Sequence, residues 1–108
     1  MFNRLLSVGP VTPRGAGSSL EGNSIPVNGG IVIDLSRMDG ILETHVADLQ
    51  VTVQPGVVYR DLNERLQACG LFFPPSPGGS SDVATIGGLV ANNASGIYSV
   101  KYGCTRRP

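Results

Sequence analysis

An α+β fold is what this chain of 108 residues predicts. Three observations point there. Residues 31–53 carry short runs of β-branched or alternating apolar and polar residues, parted by tight turns, the mark of strands. Residues 57–69 space their apolar side chains along one helix face. The segments 13–30 and 74–82 are rich in Gly, Ser, Pro and Asn, and such composition reads as loop.

The elements follow in order. Residues 13–30 (PRGAGSSLEGNSIPVNGG) form the first loop. A loop this long inside a compact domain is usually functional or disordered. Ile31 to Ser36 is a β-branched run and reads as a strand. Met38-Asp39-Gly40 turns. Ile41 to Val46 (ILETHV) alternates, Ala47-Asp48 turns again, and Leu49 to Val53 (LQVTV) alternates once more. Three short strands with tight turns predict a meander.

Pro55-Gly56 breaks the last strand. Val57 to Cys69 is helical, with Val58, Leu62, Leu66 and Cys69 on one face. Asp61 and Arg65 stand in the favourable acid-first order for an ion pair one turn apart. Gly70 is the residue to stop the helix in a left-handed conformation. Thr85 to Asn93 predicts a short helix, weakened by Gly87 and Gly88 at about 1 kcal/mol each relative to Ala. Glycines there suggest close approach of the backbone to something else. Ala94-Ser95-Gly96 ends that helix, and Ile97 to Gly103 reads as irregular.

Composition narrows the function classes. Lys plus Arg and Asp plus Glu are 8 each, so the net charge is zero. That gives no support to a nucleic-acid partner held by bulk positive charge. No apolar run approaches the roughly 20 residues a membrane span needs. The N-terminal residues Met1 to Val8 lack a long apolar region and a clear cleavage site, so the expected location is cytoplasmic. Cys69 and Cys104, with the lone His45, cannot complete a four-ligand zinc site. Both cysteines are expected as free thiols, buried or partly buried. His45 is expected in a structural role. Asp61, Glu64 and Arg65 read as a solvated helix face, and Lys101, Arg106 and Arg107 as an exposed basic end.

Two small-residue loops in a chain of low charge suggest an anion site made of backbone N–H groups. Glycine lets the main chain touch a ligand, and successive N–H groups converge on phosphate oxygens. Ser18, Ser19, Thr85 and Ser95 add hydroxyl donors. Two familiar phosphate motifs fail. Gly17 and Gly22 have P-loop spacing, but Asn23 and Ser24 follow where Lys and Ser/Thr belong. Gly15-Ala16-Gly17 begins a dinucleotide fingerprint, but Leu20 stands at its third glycine and the loop leads toward a strand.

Three ordered motifs carry a family resemblance: VTPRGAGSSLEG (Val11 to Gly22), VTVQPGVVYRDLNERL (Val51 to Leu66) and ATIGGLVANNASG (Ala84 to Gly96). With Tyr102-Gly103 they resemble the FAD-linked oxidase family, in the branch of the D-lactate dehydrogenases and glycolate oxidase flavoprotein subunits. The likeness spans residues 11–106, and the whole chain 1–108 reads as one partial FAD-binding domain. The resemblance implies the α+β FAD-binding fold of the vanillyl-alcohol-oxidase (PCMH) type, without the second part of that domain or the substrate-binding cap. It implies that Arg14, Gly15, Ala16, Gly17, Ser18 and Ser19 wrap the FAD diphosphate and that Gly22 closes their loop. It implies that Pro77, Thr85, Gly87, Gly88, Asn92, Ser95 and Gly96 line the flavin and ribityl side.

Some relatives attach FAD through a His in the first loop. Ala16, Gly17 and Ser18 occupy that stretch here, so noncovalent FAD is expected. Ser76 stands in a PPSP run where many relatives have PPDP. The implied reaction is oxidation of a 2-hydroxy acid to a 2-oxo acid, the substrate being held by a region outside this chain. No catalytic residue or metal ligand is assigned. The implied partners are the remaining half of the enzyme or an electron-accepting subunit. The chain alone is expected to be inactive, either as part of a split flavoprotein or as a truncated non-enzymatic fragment. An apolar patch meant for the missing part is expected to be exposed and to promote association.

Overall fold

The computed structural model describes residues 9–105. The short apolar start within Met1 to Val8, and Arg106 and Arg107 of the basic end, lie outside them. The described residues form two small sheets and three helices. Strand β1 (Val11–Arg14) pairs in parallel with β2 (Ile31–Asp34). Strand β3 (Ile41–His45) pairs antiparallel with β4 (Gln50–Val53). Helix α1 spans Tyr59–Gln67, α2 Ile86–Ala91 and α3 Ser99–Tyr102.

The predicted meander is corrected. Its last two strands form a hairpin, but β2 takes β1 as its partner, in a separate two-stranded sheet. The turn after β2 explains the divergence. Asp34 Oδ1 accepts the Ser36 N–H at 2.9 Å, and Met38 N–H donates to the Leu35 carbonyl at 3.0 Å. This side-chain-to-backbone turn draws the chain away from β2. Gly56 then packs against it, donating to the Met38 carbonyl at 2.7 Å. Parallel pairing needs a long crossover, and residues 15–30 supply it. Pro13 and Arg14 therefore belong to a strand rather than to the loop, opposite Ile33 and Asp34.

In the hairpin, a turn of 3-10 helix (Val46–Asp48) joins the strands. Leu49 takes a left-handed conformation and stands outside β4. The helix begins two residues later than predicted. Val58 is extended because it bridges Thr85, and Tyr59 N–H donates to the Ala84 carbonyl at 2.8 Å. Consequently Tyr59, Leu62 and Leu66 form the buried face of α1, while Cys69 is exposed and Cys104 partly buried. The expectation of a covered Cys69 fails because the chain reverses just after it. Gly70, at φ +71°, donates to the Gln67 carbonyl at 3.0 Å, and Leu71 to that of Leu66 at 3.1 Å. These paired bonds make a Schellman stop and turn Leu71 rather than Cys69 inward.

The core lies where α1, α2 and the hairpin meet. Val57, Tyr59, Leu62, Leu66, Ile86 and Leu89 are buried there, with Ile41, Val51, Val53, Leu71 and Phe73 packed around them. Asn63 ties in the returning chain by accepting the Phe73 N–H at 2.6 Å. The Asp61–Arg65 pairing does not form. Arg60 instead meets Asp61 at 3.5 Å, Glu64 at 3.9 Å and Asp82 at 3.2 Å. Asp82 lies beyond the helix, so helical spacing cannot reveal its pull on Arg60. Residues 97–103, irregular by sequence, contain the single turn α3. His45 Nε2 meets Glu43 Oε2 at 2.9 Å along β3, with both side chains exposed.

Candidate functional site

The first loop and the second small-residue region face each other across one cleft of about 680 Å³. Arg14, at the end of β1, leads into the loop. Gly15, Ala16, Gly17, Ser18 and Ser19 line one wall. Pro77, Thr85, Gly87, Gly88, Asn92 and Ser95 line the other. Gly22 and Gly96 lie outside this lining. Gly96 instead admits a neighbouring loop. At φ +125°, a Cβ there would lie 2.0 Å from the Ser76 carbonyl oxygen. Ser76 itself is buried, and its hydroxyl accepts the Gly78 N–H at 3.3 Å.

Local structure brings the walls together. Residues 84–87 run beside 55–59: Ile86 N–H donates to the Val57 carbonyl at 2.8 Å and Gly87 N–H to that of Pro55 at 2.9 Å. A Cβ at Gly87 would stand 2.9 Å from the Pro55 carbonyl oxygen. The close approach read from this glycine is thus to the protein's own backbone. Thr85 caps α2, its hydroxyl accepting the Gly88 N–H at 3.4 Å.

The first loop is rich in free donors. Among the described residues, the N–H groups of Gly15 to Leu20 have no internal acceptor. Such groups need partners when they leave water. Arg14 and Glu21 are the charged residues of the cleft. A Cβ at Gly17 would lie 3.0 Å from Arg14 Nη2, so the guanidinium sits over the loop. The wall carries main-chain dipoles, hydroxyls, the Arg14 cation and the Glu21 carboxylate; with those two charges opposed, the main-chain donors are what suit an anion.

Pro13, Asn23, Ser24, Leu35, Pro55, Ala84, Leu89 and Asn93 also line the cleft, and the sequence reading does not single them out as site residues. Asn23 carries a signal, since it follows Gly22 in the same loop. Leu35 and Pro55 carry none, because only the folded chain sets them beside it. Among the described residues no helix is long and apolar enough to cross a membrane, and no group of three or more His, Cys, Asp and Glu could hold a metal ion.

Such a cleft, with unpaired main-chain donors along one wall, has the chemistry of a site for an anionic group. The chain belongs to the family described as "FAD binding domain", whose profile matches residues 8–107. It is 42% identical over 97 residues to glycolate oxidase subunit GlcD of Bacillus subtilis (strain 168), covering 90% of this chain and 20% of that protein. It is 44% identical over 97 residues to D-lactate dehydrogenase of Anaerostipes hadrus, covering 90% of this chain and 20% of that protein. Among solved structures, alkyldihydroxyacetonephosphate synthase superposes with a TM-score of 0.77 at 30% identity, over 89% of this chain and 20% of that one. The chain thus spans about 20% of the length of these relatives.

The fold is the α+β FAD-binding domain of PCMH type, present in part, and its cofactor is FAD. The residues present fit that group. The free N–H groups of the first loop suit a diphosphate. The relatives place the chain in a family of FAD-dependent oxidoreductases.

Proposed function

We propose that this chain is the diphosphate-holding part of a flavin-dependent enzyme that oxidises a 2-hydroxy acid of D-lactate or glycolate type to its 2-oxo acid. The observation that carries this reading is the run of unpartnered N–H groups from Gly15 to Leu20, in a loop that lines the same cleft as Thr85 and Ser95. FAD held there would supply the acceptor for the two electrons removed at the substrate's α-carbon. The chain's own part is to bind and orient the cofactor. Arg14, Ser18, Ser19 and the loop N–H groups hold the diphosphate. Gly88 and Ser95 border the flavin and ribityl end, while Gly87 holds their segment against Pro55. No histidine lies in the first loop, so the cofactor is held without a covalent bond. The substrate-binding groups and the electron-accepting partner come from outside this chain, which by itself is inactive.

The test is an absorbance spectrum after the chain is mixed with FAD and desalted, alone and with the downstream portion of an aligned relative. A retained flavin spectrum, released to the supernatant by acid, supports noncovalent binding. Reduction of that flavin by D-lactate or glycolate, only when the downstream portion is present, supports the enzyme reading. A colourless protein in both mixtures overturns it.

The second reading, a truncated non-enzymatic fragment of such a flavoprotein, has one observation in its favour. Leu20, Ile97 and Val100 are 103%, 73% and 102% exposed. The same spectrum separates the two.

A further inference from the structure

Asn92 is the residue on which the two walls of the cleft meet. It ends α2, yet its side chain reaches across to the first loop. Asn92 Nδ2 donates to Ser19 Oγ at 3.0 Å. Asn23 Nδ2 in turn donates to Asn92 Oδ1. The two amides thus form a relay from Asn23 through Asn92 to Ser19.

Ser19 Oγ is also engaged from its own loop. It accepts the Glu21 N–H at 3.2 Å. A hydroxyl has one hydrogen to give and two lone pairs to receive with. Both lone pairs of Ser19 are taken, one by Glu21 and one by Asn92. Its remaining capacity is the hydroxyl hydrogen, and Ser19 lines the cleft.

We infer that Asn92 is a positioning residue: it latches the first loop to α2 and commits the Ser19 hydroxyl to donating toward a phosphate oxygen. This rests on the functional reading above and deepens it. Asn92 acts through Ser19 rather than by touching the flavin end itself. A hydroxyl set only to give favours an anionic oxygen over a neutral donor. Hydrogen bonds to charged groups are also the stronger kind.

A double-mutant cycle tests the inference. FAD affinity is measured for the unaltered chain with the downstream portion, and for Asn92→Ala, Ser19→Ala and the double variant. Each single change is expected to weaken FAD about tenfold, the scale of one charge-assisted hydrogen bond. In the Ser19→Ala background, Asn92→Ala is expected to cost less than about twofold, because shared partners do not add. Equal losses in the two backgrounds overturn the inference, as does full affinity in Asn92→Ala.

Hydrogen exchange without FAD supplies a second readout. Asn92→Ala is expected to speed exchange at the Glu21 amide and to leave the Leu62 amide in α1 unchanged, which marks an intact core. An unchanged Glu21 rate overturns the latch whatever FAD does. Failure of the unaltered protein to bind FAD overturns instead the functional reading on which the phosphate assignment rests.

Discussion

A Cβ placed on Gly15 would lie 2.4 Å from Thr85 Oγ1. Residues far apart in the chain thus meet at the floor of the cleft, with no space for a methyl group between them. Thr85 cannot swing away freely, because its hydroxyl caps α2 through the Gly88 N–H. Gly15→Ala is therefore expected to destabilise the domain by about 1–3 kcal/mol, the usual cost of overpacking, and to lower FAD retention. Thr85→Ala alone is expected to cost about 1 kcal/mol for the lost cap. Combined, the two should cost less than their sum. Urea midpoints of the four proteins measure this, and strict additivity would show that the contact is not the cause.

Leu62 is 1% exposed at the centre of the core, whereas Val90, on the neighbouring helix, is 55% exposed. Leu62→Ala is expected to lose about 2–5 kcal/mol of stability through lost burial and a cavity. Val90→Ala should stay within about 0.5 kcal/mol. Comparable losses from both would place the core elsewhere.

The Asp34 carboxyl is held below its ordinary value of 3.8, first by the Ser36 hydroxyl, then by the Ser36 N–H, with Arg14 and Arg37 adding smaller pulls. A carboxylate favoured in the folded state stabilises it at pH above the unfolded value. That contribution fades as the pH drops below 3.8 through the folded value. Ser36→Ala is expected to move the Asp34 titration upward, toward 3.8. Carbon-detected NMR titration reads it, and an unmoved midpoint would remove Ser36 as the main cause.

Gly70 and Gly96 both have positive φ, but their surroundings differ. No atom lies within 4 Å of a Cβ built on Gly70, while the Ser76 carbonyl oxygen lies 2.0 Å from one on Gly96. Gly70→Ala is expected to cost about 1–2 kcal/mol from backbone conformation alone. Gly96→Ala adds a steric clash and should cost clearly more, as thermal unfolding of the two variants would show. Equal costs would mean that residue 96 relaxes away from Ser76.

Local chemistry explains what is legible in the sequence. The hairpin strands and α1 are set by short-range periodicity, and the Gly70 stop by the one residue type that tolerates its conformation. The small-residue loops, together with the motif order, point to the cleft. Most of the residues named from them do line it, Gly22 and Gly96 excepted. The role of Gly96 is hidden because Ser76, the group that needs its missing side chain, belongs to another loop.

The α+β class, the presence of α1 and the two small-residue loops are legible in the amino-acid order, since these depend on neighbours a few residues apart. Long-range contacts set the rest. They paired β1 in parallel with β2 rather than extending a meander. They also exposed Cys69 beyond a helix stop, and joined Asn92 to Ser19. Those outcomes depend on hydrogen bonds and packing between distant segments, whose partners no local pattern specifies. Strand β1 contains Pro13 and runs into the glycine-rich loop, so Pro13 and Arg14 read as loop, and its ladder forms only after the long crossover has closed.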